Sequence, residues 1–224
     1  ELRSQLNNRL GNPGSGLQGF DNSGAGGFGQ GMGVTHANSH DNDYAALKEW
    51  QHAYYMTREG MGLIYSDGYN KAETLGESGG AFPRHANTQY LGQFSDPRIP
   101  NILQIHNDFA RGLQQGLWSD ADFVAFERRD NRDPGGVTRS GNAAQEVTMV
   151  VMMNDNTAAG QMRTFNHSFG NGAYLFQYAR GSGGGGFYST NLSSVIVPPG
   201  GYFVFGWRTP ELSNLWPDAA ITLY

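Results

Sequence analysis

The sequence predicts an α/β fold followed by an all-β fold, and two observations support this prediction. In the first half of the chain, short extended segments alternate with segments of helical periodicity. Beyond Trp118 the helical periodicity ends, and short alternating segments follow one another between turns rich in Gly, Asn and Pro. We therefore expect domains at residues 1–118 and 119–210, with residues 211–224 beginning a further segment.

Composition limits the classes of function. The 224-residue chain carries a net charge of −5 from 15 basic and 20 acidic residues that are scattered, so a nucleic-acid surface is not expected. The absence of cysteine excludes disulfides and thiolate chemistry. No apolar run is long enough to span a bilayer, so we expect no membrane partner. The compartment stays open, and an extracellular or periplasmic location is favoured.

The α/β part is predicted from a strand, a helix and a second strand in succession. Val34 and Thr35 favour a strand, apolar residues recur on one helical face over residues 46–58, and Gly60 is placed to end that helix. Residues 62–65 form the second predicted strand. A later helix is predicted over residues 99–113, with His106 on its apolar face as a core residue.

The all-β part is predicted from six alternating segments. Their spacing and the turns between them are typical of an antiparallel sandwich. The four glycines at 183–186 lack the Lys-Ser/Thr tail of a phosphate loop, so they are predicted to connect a hairpin. The six predicted strands are residues 123–128, 147–153, 163–169, 174–178, 192–197 and 202–207.

The side chains best suited to chemistry lie where the first strand ends. They are His36, Asn38, His40, Asp41 and Asp43. In α/β folds, functional sites collect at the carboxyl ends of the strands. Three interpretations stay open for this cluster: a glycosidase site, a metal site and a structural loop.

The metal interpretation rests on His36 and His40, four positions apart, beside Asp41 and Asp43. That spacing brings two histidines together on one face of a helix, whereas an extended chain holds them about 13 Å apart. In the structural interpretation Asp43 caps the following helix and its neighbours lie in a solvated loop.

Four segments in the same order resemble a known family. They are Ser39-His40-Asp41 and residues 62–65, 107–112 and 123–128. With them, the chain from about Gly33 to Arg208 resembles the α-amylase family of glycoside hydrolases. The resemblance implies that residues 1–118 are the last βα units of a (β/α)8 barrel, with residues 62–65 as the eighth strand. It also implies that an antiparallel β-sandwich domain follows.

The resemblance further implies a retaining α-glycosidase that acts on α-glucans. Asp41 matches the third catalytic acid of the family, and His40 is implied to hydrogen-bond a sugar hydroxyl; Asn38 and Tyr65 are further substrate-binding candidates. The nucleophile and the acid/base, about 5 Å apart in such enzymes, are carried by earlier barrel strands that this chain does not include. The chain alone is therefore expected to be inactive. No cofactor is expected, although the resemblance allows a structural calcium ion in the parent enzyme.

A partial barrel leaves open sheet edges, so we expect it to pair with the rest of its parent barrel or with a second chain. The alternative function is a non-catalytic carbohydrate-binding or scaffold module. Such modules bind sugars with exposed aromatic side chains, and strand alternation would bury about half of the candidates. The candidates are Tyr174, Phe176, Tyr178, Phe187, Tyr188, Tyr202 and Trp207.

Overall fold

Among the residues that it describes, the computed structural model contains a ten-residue α-helix, further helical residues between 102 and 109, a pair of short parallel strands and a larger antiparallel sheet. The described residues are 16–21, 34–36, 48–63, 102, 105–107, 109–110, 112–129, 147–168, 174–179, 187–189 and 192–207.

The first unit is a strand, a helix and a second strand, in the predicted order. Strand β1 (Val34–His36) is followed by helix α1 (Lys48–Thr57) and strand β2 (Met61–Leu63). The two strands are parallel, and His36 is paired with Leu63. Gly60 directly beyond the helix has a φ of 115°, a conformation that glycine adopts readily, and it ends the helix as predicted. The predicted end of a (β/α)8 barrel is not seen beyond this strand pair among the described residues.

The larger sheet has six strands in the order β3-β4-β5-β8-β6-β7, and every pairing between neighbours is antiparallel. The antiparallel character predicted for the second half of the chain is therefore confirmed. Strands β6 and β7 are neighbours, so the four-glycine run between them connects antiparallel strands as predicted. The strands are β3 (Leu113–Ser119), β4 (Phe123–Arg129), β5 (Val147–Asn154), β6 (Tyr174–Ala179), β7 (Phe187–Ser189) and β8 (Tyr202–Trp207).

One face of this sheet is covered by α1, by residues 16–21 and by helical residues between 102 and 109. Trp50 and Tyr54 of α1 stack with their ring centroids 5.8 Å apart, and Tyr54 meets Phe126 of β4 edge to face at 6.1 Å. Each large apolar side chain buried in this way contributes about 1.5–3 kcal/mol to folding. The core on this face consists of Leu17, Phe20, Trp50, Ala53, Tyr54, Tyr55, Ile105, Phe109, Val124, Phe126, Met149, Val151, Met153, Tyr202 and Val204.

The opposite face is covered by segments that are not regular strands. Phe165, Leu192 and Val197 are buried there against the sheet. A single antiparallel bridge joins Gln161 to Val197. As a result, β5 is buried along its whole length and the central strands contact core on both faces.

The later helix is described only in part. Residues 102, 105–107 and 109 are helical, in agreement with the sequence. Nδ1 of His106 lies 2.7 Å from the carbonyl oxygen of Met56, and because a carbonyl only accepts, Nδ1 carries the proton. The prediction of a structural His106 with a satisfied ring is confirmed.

Several predicted elements differ in the structure. Leu113, predicted as the last residue of a helix face, begins strand β3, which the sequence did not predict. Strand β7 was also not predicted. The predicted strand at residues 163–169 is irregular up to residue 168. It is held by bonds to side chains: Arg163 bonds to Asp120, and the hydroxyl and backbone N–H of Ser168 donate to the carboxylate of Glu127. The predicted strand at residues 192–197 begins instead as the short 3₁₀ helix Leu192–Ser194.

The second sheet of the predicted sandwich is not seen among the described residues, where the covering layer is irregular. Strand β3 runs across the predicted division at residue 118. The division into domains at residues 1–118, 119–210 and 211–224 stays a prediction. Within the described residues, no helix is long and apolar enough to cross a membrane.

Candidate functional site

The predicted site follows the carboxyl ends of two strands that lie side by side. The structure pairs His36, the last residue of β1, with Leu63, the last residue of β2. In the sequence, Asn38, His40 and Asp41 come shortly after His36, and Tyr65 comes shortly after Leu63. These four predicted site residues lie outside the described residues, so their roles stay predictions.

Of the residues in the metal interpretation, the structure describes only His36, and of it only the backbone. Its backbone is part of strand β1, so the extended conformation that separates residues four apart is present at the start of the interval. His40, Asp41 and Asp43 lie outside the described residues. Where side chains are described, no group of three His, Asp or Glu residues could hold a metal ion.

The amino-terminal approach to β2 is fixed by the buried side chain of Arg128 from β4. Its Nη1 donates to the carbonyl oxygens of Thr57 and Arg58, each at 2.7 Å. Its Nη2 and Nε donate to the carbonyl oxygen of Gly112, at 2.6 and 3.2 Å. The guanidinium thus joins the end of α1, the start of β3 and strand β4 at one point.

A second link joins the same region to β3. The backbone N–H of Glu59 donates to Oε1 of Gln114, and the backbone N–H of Gln114 donates to Oε2 of Glu59, both at 2.9 Å. Nε2 of Gln114 also donates to the carbonyl oxygen of Asp21 at 2.5 Å. Both side chains are buried. These reciprocal bonds hold the residues directly before β2 against the antiparallel sheet.

Glu127 of β4 is a buried carboxylate with structural partners. It is 0% exposed, and its Oε1 accepts from Nε of Arg129 at 2.8 Å. Its two oxygens also accept from the hydroxyl and the backbone N–H of Ser168. Nη2 of Arg129 contacts the hydroxyl of Ser168 in turn. A carboxylate enclosed in this way cannot reach a substrate, so Glu127 is not a catalytic candidate.

A partly exposed polar cluster lies at the end of β3. Oδ2 of Asp120 accepts from Nε1 of Trp118 at 2.8 Å and from Nε of Arg163 at 2.5 Å. Oδ1 accepts from the backbone N–H groups of Asp122 and Phe123 at 3.0 Å and from Nη2 of Arg163 at 3.3 Å. Burial raises the pKa of Asp120, but the hydrogen bonds from Arg163, Trp118 and Asp122, together with the charge of Arg163, outweigh burial and lower this pKa below its usual value.

The aromatic side chains proposed for sugar binding are only partly described. Tyr202 is 2% exposed and belongs to the core, so it is one of the candidates that are buried. Of the other six candidates, only the backbones are described. Trp118 was not among the candidates, yet its side chain is exposed. The sequence signal that could have found it is Trp118-Ser119-Asp120, where a carboxylate follows an aromatic residue closely at the end of a strand.

Comparison with known proteins gives similarity at the level of structure. No family model and no curated protein match the sequence. The chain is structurally similar to α-amylase-family enzymes. Three solved structures are each 15% identical and match 80% of this chain. They are a gamma-CGTase from alkalophilic Bacillus clarkii (TM-score 0.49), an Anoxybacillus α-amylase (0.49) and CldA, a cyclomaltodextrin glucanotransferase with a three-domain ABC distribution (0.50).

This similarity concerns the fold. The matched part makes up 26%, 39% and 37% of those chains, so this chain spans well under half the length of each of them. The resemblance that the sequence indicated is therefore supported as a shared fold, and the activity belongs to the proposal below.

Proposed function

We propose that this chain is the C-terminal part of a retaining enzyme of the α-amylase type that acts on α-glucans. In this proposal Asp41 is the third catalytic carboxylate. His40 hydrogen-bonds a sugar hydroxyl, and Asn38 and Tyr65 contribute further substrate contacts. The nucleophile and the acid/base come from another part of the parent enzyme.

The observation that carries the proposal is the parallel pair of β1 and β2. Both strands end at the same edge, with His36 beside Leu63, and α1 connects them. Ligands in α/β proteins bind outside the carboxyl ends of parallel strands. The predicted residues follow the two strands at that edge in the sequence, which supports a shared site for Asp41 and Tyr65.

The order of the larger elements supports the same proposal. A strand–helix–strand unit is followed by helical residues and then by an antiparallel sheet, as in the family that the sequence resembles. The similar structure with a TM-score of 0.50 is described as a cyclomaltodextrin glucanotransferase. From that description we take the substrate class, an α-linked glucan.

In this proposal the nucleophile and the acid/base lie outside this chain. A retaining glycosidase uses two carboxyl groups about 5 Å apart, one as nucleophile and one as acid/base. Glu59, Asp120 and Glu127 each hold structural partners, namely Gln114, Arg163 and Arg129. We therefore do not propose any of these three as the nucleophile or the acid/base. In the proposal, Asp41 holds sugar hydroxyls and favours positive charge on the sugar ring.

The test is Asp41→Asn in the parent enzyme that contains this chain. A charge placed for the transition state is worth about 2.7–4 kcal/mol, which corresponds to about 10²–10³ in rate. We expect kcat on a soluble α-glucan to fall at least about a hundredfold, while the melting temperature stays nearly unchanged. Initial-rate kinetics and thermal melting measure the two quantities.

Two further variants serve as controls. Asp43→Asn changes a neighbouring carboxylate that has no role in the proposed reaction, so it should leave kcat nearly unchanged. His40→Ala removes one hydrogen bond worth about 0.5–1.5 kcal/mol and should act mainly through KM. Near-normal turnover in Asp41→Asn, or a loss that follows the melting temperature, would contradict the catalytic assignment. The binding or scaffold function would then take its place.

A further inference from the structure

We infer that the exposed part of Trp118 is a stacking platform for a neutral sugar ring, at a site on β3 and not on the β1–β2 pair. The inference rests on the proposed function only for the choice of an α-glucan as the ligand. The geometry that carries it lies entirely in the described residues.

The first argument is that a β-bulge selects the face on which Trp118 lies. The register between β3 and β4 shifts between Gly116 and Trp118, so that Trp118 is opposite Ala125. Without the shift, Trp118 would be opposite Val124, which belongs to the core on the other face. Bulges on edge strands commonly re-aim one side chain, and β3 is an edge strand of the six-stranded sheet.

The second argument is that the indole is held in place although it is exposed. Its Nε1 donates to Oδ2 of Asp120 at 2.8 Å, a charge-assisted bond. Asp120 is fixed by Arg163, whose Nη1 also donates to Gln161 Oε1 and to the carbonyl oxygen of Met162, both at 2.9 Å. The guanidinium carbon of Arg163 lies 5.5 Å from the ring centre of Phe123. A ring anchored in this way loses little conformational freedom when a ligand stacks on it.

The third argument concerns the chemistry of the ligand. The one polar atom of the indole is already bonded to Asp120, so the 38% of Trp118 that is exposed offers its apolar ring surface. The charges of Asp120 and Arg163 cancel each other, and their side chains are 29% and 22% exposed beside the ring. The surface thus combines an exposed aromatic side chain with polar edges, and the nearby carboxylate of Asp122, which bonds to Asn156, leaves it with no surplus of positive charge.

A sugar ring matches this combination, because it has an apolar face of C–H groups, a rim of hydroxyls and no charge. A nucleic acid also offers a ring to stack, but its phosphates require a surplus of positive charge. The cluster has no such surplus, and the whole chain carries −5. We therefore assign a saccharide as the ligand.

The experiment measures retardation of the 224-residue chain in native gels that contain soluble starch, and titration calorimetry with maltoheptaose. Trp118→Ala should weaken binding about three- to tenfold, the range of a single aromatic contact. Trp118→Phe keeps a ring and should retain most of the affinity. Leu113→Ala removes a more exposed apolar side chain from the other end of β3 and should bind as the unchanged chain does.

A folding defect is separated from a binding defect by circular dichroism and thermal melting of each variant. If Trp118→Ala fails to fold, Trp118→Leu, which keeps an apolar side chain without a ring, replaces it with the same expected loss. Equal binding by the Trp118 and Leu113 variants would overturn the inference. So would an absence of saccharide binding by the unchanged chain.

The readout is binding and not turnover, which separates this inference from the proposed function. Loss of starch binding with Trp118 supports the platform even where Asp41→Asn leaves kcat unchanged. Conversely, if Trp118→Ala binds starch normally, the Trp118 inference is wrong even when Asp41→Asn lowers kcat.

Discussion

Arg128 illustrates how this protein accommodates a charged side chain in its interior. The side chain is 3% exposed and is bonded to backbone carbonyl oxygens at two places. Two of these carbonyls belong to Thr57 and Arg58, at the carboxyl end of α1, where the helix carries partial negative charge. The favourable helix dipole and the hydrogen bonds together offset the cost of removing the guanidinium from water.

Arg128→Lys is expected to destabilise the fold although the charge is kept. An ammonium group cannot reach all of these carbonyls at once, and hydrogen bonds to a charged group are worth about 1.5–3 kcal/mol each. We expect a loss of at least about 2 kcal/mol in the free energy of unfolding, measured by urea denaturation followed by circular dichroism.

Arg129→Lys is the matched control for Arg128. Its side chain is 30% exposed, and a lysine there keeps a charge beside Glu127. We expect this change to cost less than Arg128→Lys, because the lysine keeps its charge next to the Glu127 carboxylate. Equal losses for the two variants would show that the carbonyl contacts of Arg128 carry no special weight.

Asp120 should make the stability depend on acidity. Its pKa is lowered in the folded chain relative to the usual Asp value of 3.8, so the folded state holds the proton less tightly than the unfolded state. This contribution to stability is present above pH 3.8 and is lost as the pH falls through the lowered pKa of the folded state. The urea midpoints of the wild type and of Asp120→Asn should therefore converge as the pH falls below 3.8. A constant gap between pH 7 and pH 2.5 would contradict this assignment.

At the scale of elements, the packing of β8 against the helical segment that carries Phe109 depends on Gly206. A methyl group placed on Gly206 would come within 2.5 Å of the ring of Phe109, which is buried. Glycine inside a central strand often marks such a close approach. The helical segment that carries Phe109 therefore lies against the sheet at the distance that Gly206 permits.

Gly206→Ala is expected to cost about 1–3 kcal/mol of folding free energy through overpacking. In a Phe109→Ala background the same change should cost much less, because the ring is gone. Gly62→Ala is the matched control, since its methyl group would meet the flexible thioether of Met56 at 2.6 Å. Calorimetric melting of the wild type, Gly206→Ala, Phe109→Ala and the double variant gives the coupling energy between Gly206 and Phe109. Additive losses in stability would refute the contact.

The sequence predicted the elements whose local pattern agrees with their final environment. Strands β4, β5, β6 and β8 carry runs of β-branched and aromatic residues and were predicted nearly to their ends. Strand β1 and helix α1 have clear β-forming and helical patterns, respectively. Gly60 also marked the end of α1 correctly.

The elements that the sequence missed are those in which tertiary contacts override the local pattern. Strand β3 begins Leu-Gln-Gln-Gly, which does not alternate between apolar and polar residues. Gln114 is nevertheless buried, because it bonds to Glu59 and Asp21, which are distant in the sequence. Residues 163–168 do alternate, yet Arg163 bonds to Asp120, Phe165 is buried against the sheet, and Ser168 bonds to the Glu127 carboxylate through its hydroxyl and its backbone N–H. Strand pairing is then unnecessary for that segment.

At the scale of the whole molecule, the sequence could place the candidate site but not its supports. Local patterns predict a strand at Val34 and Thr35 and another at residues 62–65, and the structure pairs β1 with β2 there, ending them at His36 and Leu63. The link from Arg128 to Arg58 joins residues 70 positions apart. The bulge that aims Trp118 depends on the register with β4. Neither can be read from spacing along one segment.

The contact between α1 and β5 also sets an order of events during synthesis. The indole of Trp50 donates to the carbonyl oxygen of Asn154, a separation of 104 residues. A ribosome adds about 5–20 residues per second, so α1 emerges about 5–20 s before the strand that covers it. During that interval its aromatic residues are exposed to other nascent chains and to chaperones. Slower translation over residues 60–150 would lengthen this exposure and lower the yield of folded protein.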